Sequence, residues 1–329
     1  MKFLIIRFSS IGDIVLTTPV IRCLKQQVAN AEVHFLTKKT FASIVENNPY
    51  VDKVFTLSKS WETMIHELKQ EQYDYVIDLH HNTRTWRVKK ALKATSYAYN
   101  KLNIQKWLLT VLKINRLPKV HIVDRLLDTI KPFGVVNDGK GLDYFIPEKD
   151  IVQKRDIPLS HSLGYVAIVI GAALNTKKMP VQKLQELCVA INYPIILVGG
   201  REDLIAGDAI AQKDTGKIYN ACGKFNLNES ADIVRNATVV ISHDTGLMHI
   251  AAAFHKKIIS IWGNTVPAFG MYPYYGNFQV ANFTSEVTNL SCRPCSKIGH
   301  NQCPKKHFKC MMLQDIDAIV AATFDLIKK

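Results

Sequence analysis

Short apolar runs alternate along the chain with segments whose apolar residues recur every three or four positions. That alternation predicts strand, helix, strand units feeding parallel sheets. In the first half, residues 3–7, 32–36, 53–57, 75–79 and 96–99 read as strands with helical stretches between them. Between 134 and 162 the pattern dissolves into a tract rich in Gly, Pro, Asp and Lys, the composition of an interdomain linker. It restarts with strands at 165–170, 195–198, 218–220, 239–242 and 257–262, and an amphipathic helix over 315–327 closes the chain. The reading is α/β: two successive doubly wound, Rossmann-like domains, residues 1–155 and 156–329. Ligands of such sheets sit outside the carboxyl ends of the strands, so the chemistry is expected on strand-to-helix loops lining an interdomain cleft.

A length of 329 residues with 47% hydrophobic content excludes disordered and fibrous classes. Its longest apolar stretches fall short of the about 20 residues a membrane-spanning helix needs. The opening MKFLIIRFSSIGD meets Arg7, Ser9 and Ser10 too early for a secretory signal core, so a cytoplasmic protein is expected. Lys and Arg number 42 against 28 Asp and Glu, a net charge of +14 that calls for an anionic partner. The surplus is concentrated: residues 79–123 hold ten Lys or Arg and no Asp or Glu. Trp86, Tyr97, Tyr99 and Trp107 interleave with those charges, a composition suited to a phosphorylated glycolipid at a membrane surface, or simply to a solvated helix face.

Three loops carry candidate chemistry. The first, Arg7-Phe8-Ser9-Ser10-Ile11-Gly12-Asp13, joins a buried strand to a helix. Asp13 on the first helical turn is favoured by the helix dipole, and a carboxylate there could equally serve as a general base. The loop matches neither G-x-G-x-x-G nor a P-loop. The second runs from Gly171 through Asn175, Thr176, Lys177 and Lys178 to Pro180, and is either a diphosphate site or a solvated basic turn. In the third, Asp244, Thr245, Gly246, Leu247 and His249 open a helix directly after an apolar strand, the arrangement of an anion site built from backbone N–H groups. Gly263, Asn264 and Thr265 end the next strand at the same edge.

Taken together, RFSSIGDIVLTTP, GAALNTKKMP, SHDTGLMHIAAA and WGNTVP resemble glycosyltransferase family 9, the ADP-heptose:lipopolysaccharide heptosyltransferases, in order and over nearly the whole chain. The resemblance implies a GT-B fold, with acceptor on the N-terminal domain and nucleotide sugar on the C-terminal one. It implies an inverting transfer in which Asp13 takes the acceptor hydroxyl proton and Lys177 offsets charge on the departing diphosphate, with no metal required. Asp244 matches the sugar contact, Thr245, Gly246, Leu247 and His249 the surrounding phosphate site together with Thr176, and Glu202 a ribose-binding acid. The expected partners are therefore an ADP-heptose donor and an anionic lipopolysaccharide-core acceptor at the inner face of the inner membrane, and no nucleic acid. Ser10, Gly12, His80, His81, Asn82 and Arg84 are the acceptor-side candidates. The chain departs from the family in having Met179 before Pro180, and Gly263-Asn264-Thr265 where the family has G-P-T.

Cys23, Cys188 and Cys222 are scattered and read as core residues of a reducing compartment, whereas Cys292, Cys295, Cys303 and Cys310 cluster. Cys292-x2-Cys295 is half of a metal knuckle, with His300 and His307 as substitute ligands. A structural zinc or iron is one reading; free thiols or a disulfide are the others. Two rival functions stay open: a GT-B-like sugar-nucleotide epimerase or hydrolase, and a basic nucleic-acid-binding protein with the cysteines as its metal module.

Overall fold

The computed structural model describes residues 1–57 and 60–328. The chain folds into two compact units. The first comprises Met1–Lys101, Val120–Phe145 and Gly276–Phe278; the second comprises Leu102–Lys119, Ile146–Tyr275 and Gln279–Lys329. The basic tract that reads as one field in the sequence is thus shared between the units, Arg84 to Lys101 lying in the first and 102–119 in the second.

The first unit is built on an all-parallel sheet of β1 (Lys2–Ile6), β2 (Glu32–Thr37), β3 (Lys53–Thr56), β4 (Tyr75–Asp78) and β5 (Thr95–Ala98), in the order β3-β2-β1-β4-β5. Parallel pairing requires crossovers, supplied by α1 (Ile11–Val15), α2 (Thr18–Gln27), α3 (Trp61–Gln70) and α4 (Thr83–Leu92). The central strand β1 is buried along Phe3–Ile6, as expected for a sheet covered on both faces. Leu4, Ile6, Leu36, Met64, Leu68 and Val88 form one core cluster there. A short helix α5 (Asn103–Trp107) continues as a π turn over Leu108–Leu112, and α6 (Ile122–Leu127) follows.

The second unit carries β6 (Val166–Val169), β7 (Ile195–Val198), β8 (Ile218–Asn220), β9 (Val239–His243), β10 (Ile258–Trp262) and β11 (Asn282–Glu286), again all parallel, in the order β11-β10-β9-β6-β7-β8. Its helices are α7 (Val181–Ala190), α8 (Leu204–Ala211), α9 (Leu227–Asn236), α10 (Gly246–Ala253), α11 (Lys309–Met312) and α12 (Ile316–Lys328). Val166, Ile168, Leu187, Leu197, Ile241 and Ile259 are central to its core. The edge strand β11 is not foreseen from the sequence because NFTSE is mostly polar and half-exposed, with no apolar run to mark it. Among the described residues no helix is long and apolar enough to cross a membrane.

Candidate active-site loops

In the first unit, β1 delivers its loop at the carboxyl edge of the sheet. Ser10 starts α1, and its N–H and hydroxyl both donate to Asp13 Oδ2, at 3.1 and 2.8 Å. The other carboxylate oxygen faces Arg7 Nη2 at 2.7 Å. Arg7 is itself held by the Ser9 and Leu79 carbonyls, which accept from its Nε and Nη1. Burial works to raise the Asp13 pKa, but the Arg7 charge and the Ser10 hydrogen bonds outweigh it and bring it down from 3.8 to about 2. The result is a fixed, ionised carboxylate whose side chain keeps 23% of its surface exposed. Its capping role and availability to a substrate coexist. Sequence reasoning misses Arg7 as a functional residue; its one signal is a charge at the end of an apolar strand run.

The β4–α4 loop reaches the same edge. Asp78, fully buried and ion-paired to Lys89 at 2.9 Å, accepts from the His80 and His81 N–H groups and so fixes the loop. His80 packs its ring 5.0 Å from Phe8, over which Arg84 lies at 5.8 Å. Burial first, then the charges of Arg7 and Lys101, lower the His80 pKa to about 4, so this imidazole is neutral near pH 7. Its Nδ1 is buried without a hydrogen-bond partner among the described residues. Asn82 is instead committed to the helix: its Oδ1 accepts from Thr85 N–H at 2.9 Å, an N-cap. His81 is exposed, with its Nδ1 3.1 Å from the Tyr99 carbonyl. His80 and Arg84 thus pack on Phe8, and the charges of Arg7 and Asp13 act on His80, while Gly12 is buried in the turn and Ser10 is exposed beside it.

In the second unit, Lys177 Nζ donates to Asp244 Oδ2 at 2.6 Å and to the Asp244 carbonyl at 3.1 Å. Thr265 Oγ1 donates to the same carboxylate oxygen at 2.9 Å. Three loops, after β6, β9 and β10, therefore converge on one buried carboxylate. Thr245 is the N-cap of α10 without a side-chain cap bond, which leaves the first N–H groups of that helix available to an anion. Thr176 is buried, bridged to the His300 backbone in both directions. Its hydroxyl is accordingly a scaffold for the loop. His249 is buried on the first turns of α10, and Leu247 and Gly246 are half-buried. His243, also buried, accepts from Met179 N–H through Nε2, and burial lowers its pKa to about 4.

Glu202 is exposed at the loop after β7. Its neighbour Asp203 is the buried acid, paired to Lys178 at 2.7 Å and accepting from Gly200 N–H at 3.1 Å. A Cβ on Gly171, in the loop after β6, would run into the Asp203 carboxylate, which suits a glycine there. Asn264 is 2% exposed, and neither atom of its amide has a partner among the described residues.

The family model described as glycosyltransferase family 9 (heptosyltransferase) matches residues 61–306. Lipooligosaccharide heptosyltransferase 2 of Haemophilus influenzae is 24% identical over 306 residues, covering 82% of this chain and 85% of that protein. Among solved structures, a family 9 glycosyltransferase of Veillonella parvula superposes with a TM-score of 0.77 at 21% identity, covering 99% of this chain and 97% of that one. The ADP-heptose heptosyltransferase II of E. coli gives 0.72 at 16% identity, with 99% and 98% covered.

Proposed function

The chain belongs to glycosyltransferase family 9, the heptosyltransferase family, and is a glycosyltransferase; from that premise we propose that it transfers a heptose from ADP-heptose to an anionic lipopolysaccharide inner-core acceptor, inverting the anomeric carbon. The observation that carries the reading is the Asp13 carboxylate, ionised, immobilised by Arg7 and Ser10, and open to substrate at the end of β1. In the reaction the acceptor hydroxyl oxygen bonds to the anomeric carbon while the bond from that carbon to the diphosphate oxygen breaks. Asp13 accepts the hydroxyl proton, and the electron pair leaves with ADP. A carboxylate with a pKa of about 2 is a weak base toward a resting alcohol. It becomes competent once the oxygen carries positive charge, so proton transfer comes late, after carbon–oxygen bonding is advanced.

The donor is assigned to the second unit. Lys177 is a point charge for the diphosphate, and the N–H groups of α10 add fixed dipoles where negative charge develops. The pairing of Lys177 with Asp244 holds that ammonium in place beforehand. Glu202, Thr245, Gly246, Leu247 and His249 complete the assigned donor site, and Thr176 fixes the Lys177 loop through the His300 backbone. The acceptor is assigned to Ser10, Gly12, His80 and Arg84, with Arg84 the cation for an acidic sugar or phosphate and Asn82 holding their loop as the N-cap of α4. The same proposal places the enzyme in the cytoplasm, peripherally on the inner face of the inner membrane.

For the cysteines we propose a structural metal. Burial, then the neighbouring Cys292 and Cys303, raise the Cys295 pKa, and burial together with Cys295, Cys303 and Cys292 pushes Cys310 up to about 12. His307 Nε2 lies 3.9 Å from Cys292 Sγ. A divalent cation would reverse this mutual suppression by binding thiolates; among the described residues no three of these thiols and imidazoles lie within ligand distance of one another, so closing a site there requires the loop to rearrange around the ion.

Incubating the enzyme with ADP-heptose and a Kdo-containing lipid A tests the reading. The acceptor should gain one heptose, linked with the anomeric configuration opposite to the donor's. Retained configuration would remove Asp13 as the base of a single displacement, and free heptose without acceptor gain would indicate a hydrolase.

A further inference from the structure

Residues 102–119 belong to the second unit, and their helical part is turned inside out relative to an ordinary surface helix. Leu102 and Leu109 are the buried positions, whereas Ile104, Trp107, Val111, Leu112 and Ile114 are 46–72% exposed. A solvated helix places polar residues outward, and a contiguous outward apolar stripe marks an interaction surface. The carboxyl end of this helix is fixed to the cysteine loop, because Lys113 Nζ donates to the carbonyls of Pro294 at 2.7 Å and Cys292 at 3.2 Å. The loop repeats the helix's chemistry: Ile298 is 62% exposed, and Lys297, Lys305, Lys306 and Lys309 are exposed along the same stretch of chain. Neither 102–119 nor 287–314 contains a single Asp or Glu.

We propose that the helix over 103–112 and the cysteine loop form one docking surface for an anionic lipid bilayer, the helix lying in the interface with Trp107 at headgroup depth. An outward apolar stripe rimmed by cations and devoid of acids is complementary to an acidic headgroup layer above hydrocarbon. The cysteine loop then has a mechanical purpose: it anchors the end of a helix too short to stand alone. This assignment rests on the peripheral-membrane part of the proposed function, and adds the element that makes the contact and its mode.

The test is co-sedimentation of the full chain with vesicles of phosphatidylglycerol and phosphatidylcholine in equal parts, and with phosphatidylcholine alone. Binding should be strong to the first, weak to the second, and reduced by salt. Trp107→Glu with Val111→Glu should lower the partition constant about a hundredfold or more, since two inserted side chains contribute about 3 kcal/mol or more. Lys305→Glu with Lys306→Glu should lower it independently. Unchanged partitioning in the first pair, or binding that depends on the lysines alone, overturns insertion. So does a pair that only converts a dimer to a monomer in sedimentation velocity, or only abolishes a shift with nucleic acid. Transfer to a de-acylated, water-soluble acceptor should be equal in wild type and variants. Turnover there without any vesicle binding sinks the docking surface and spares the function, whereas variant-sensitive vesicle binding without turnover does the reverse.

Discussion

Asp13 and Arg7 act as a pair, and the pair defines what the first loop can do. The Asp13 pKa lies at about 2 against an ordinary 3.8, so its charge is complete through the physiological range. The stabilisation that this charge contributes is present above pH 3.8 and is lost only as pH falls toward 2. The rate profile should therefore show no acid limb from Asp13 above pH 4. Arg7→Gln leaves burial as the dominant influence on the carboxyl, and an acid limb should then appear above pH 4 in kcat/KM; an unchanged profile would detach Arg7 from Asp13. Lys177→Ala removes a charged hydrogen-bond donor worth about 1.5–3 kcal/mol, so ADP affinity should fall about tenfold to a hundredfold by calorimetry. Equal affinity would take Lys177 out of the diphosphate site. Asp13 is legible in the sequence from its strand, turn, helix setting. Arg7 is not, because only the folded loop brings it back across six residues to the carboxylate. Asp203 and Glu202 show the same limit: adjacency in sequence offers no means of telling which acid the turn buries.

Elements are easier to read than side-chain partners, because parallel strands covered on both faces leave continuous apolar runs such as FLII in β1 and IILV in β7. β11 carries no such run and is invisible in the sequence. The tract 84–119 is legible as basic and aromatic, but its division into α4, β5 and a helix that belongs to the second unit depends on long-range packing that no local pattern encodes. The loop over 134–145 is held by three residues of α2: Thr18 accepts from Asp143 N–H, Gln27 bonds Val136 in both directions, and Arg22 makes the charged contacts. Arg22, 2% exposed, donates to Asp138 at 2.8 and 2.9 Å, to the Gly141 carbonyl, and to Asp143. Removing it strands two carboxylates against the sheet-covering helix, so Arg22→Met should cost about 3–5 kcal/mol in chemical denaturation. A loss below about 1 kcal/mol would show that this cluster is solvated and not structural.

At the scale of the whole molecule, two parallel-sheet units each present loops at the carboxyl edge of a sheet, one centred on Asp13 and one on the Lys177–Asp244 pair. Family membership gives the reaction class, and the residues in those loops give each unit its part in the proposal. The family's two-domain α/β architecture is legible because hydrophobic period and loop motifs agree along the chain. The measurement that bears most directly on the proposed mechanism is acceptor-dependent ADP release from ADP-heptose by the wild-type enzyme and by Asp13→Asn. Release should require the lipid acceptor and fall by about two to four orders of magnitude in the variant, with ADP affinity unchanged. Wild-type release in Asp13→Asn, or release indifferent to the acceptor, would contradict it.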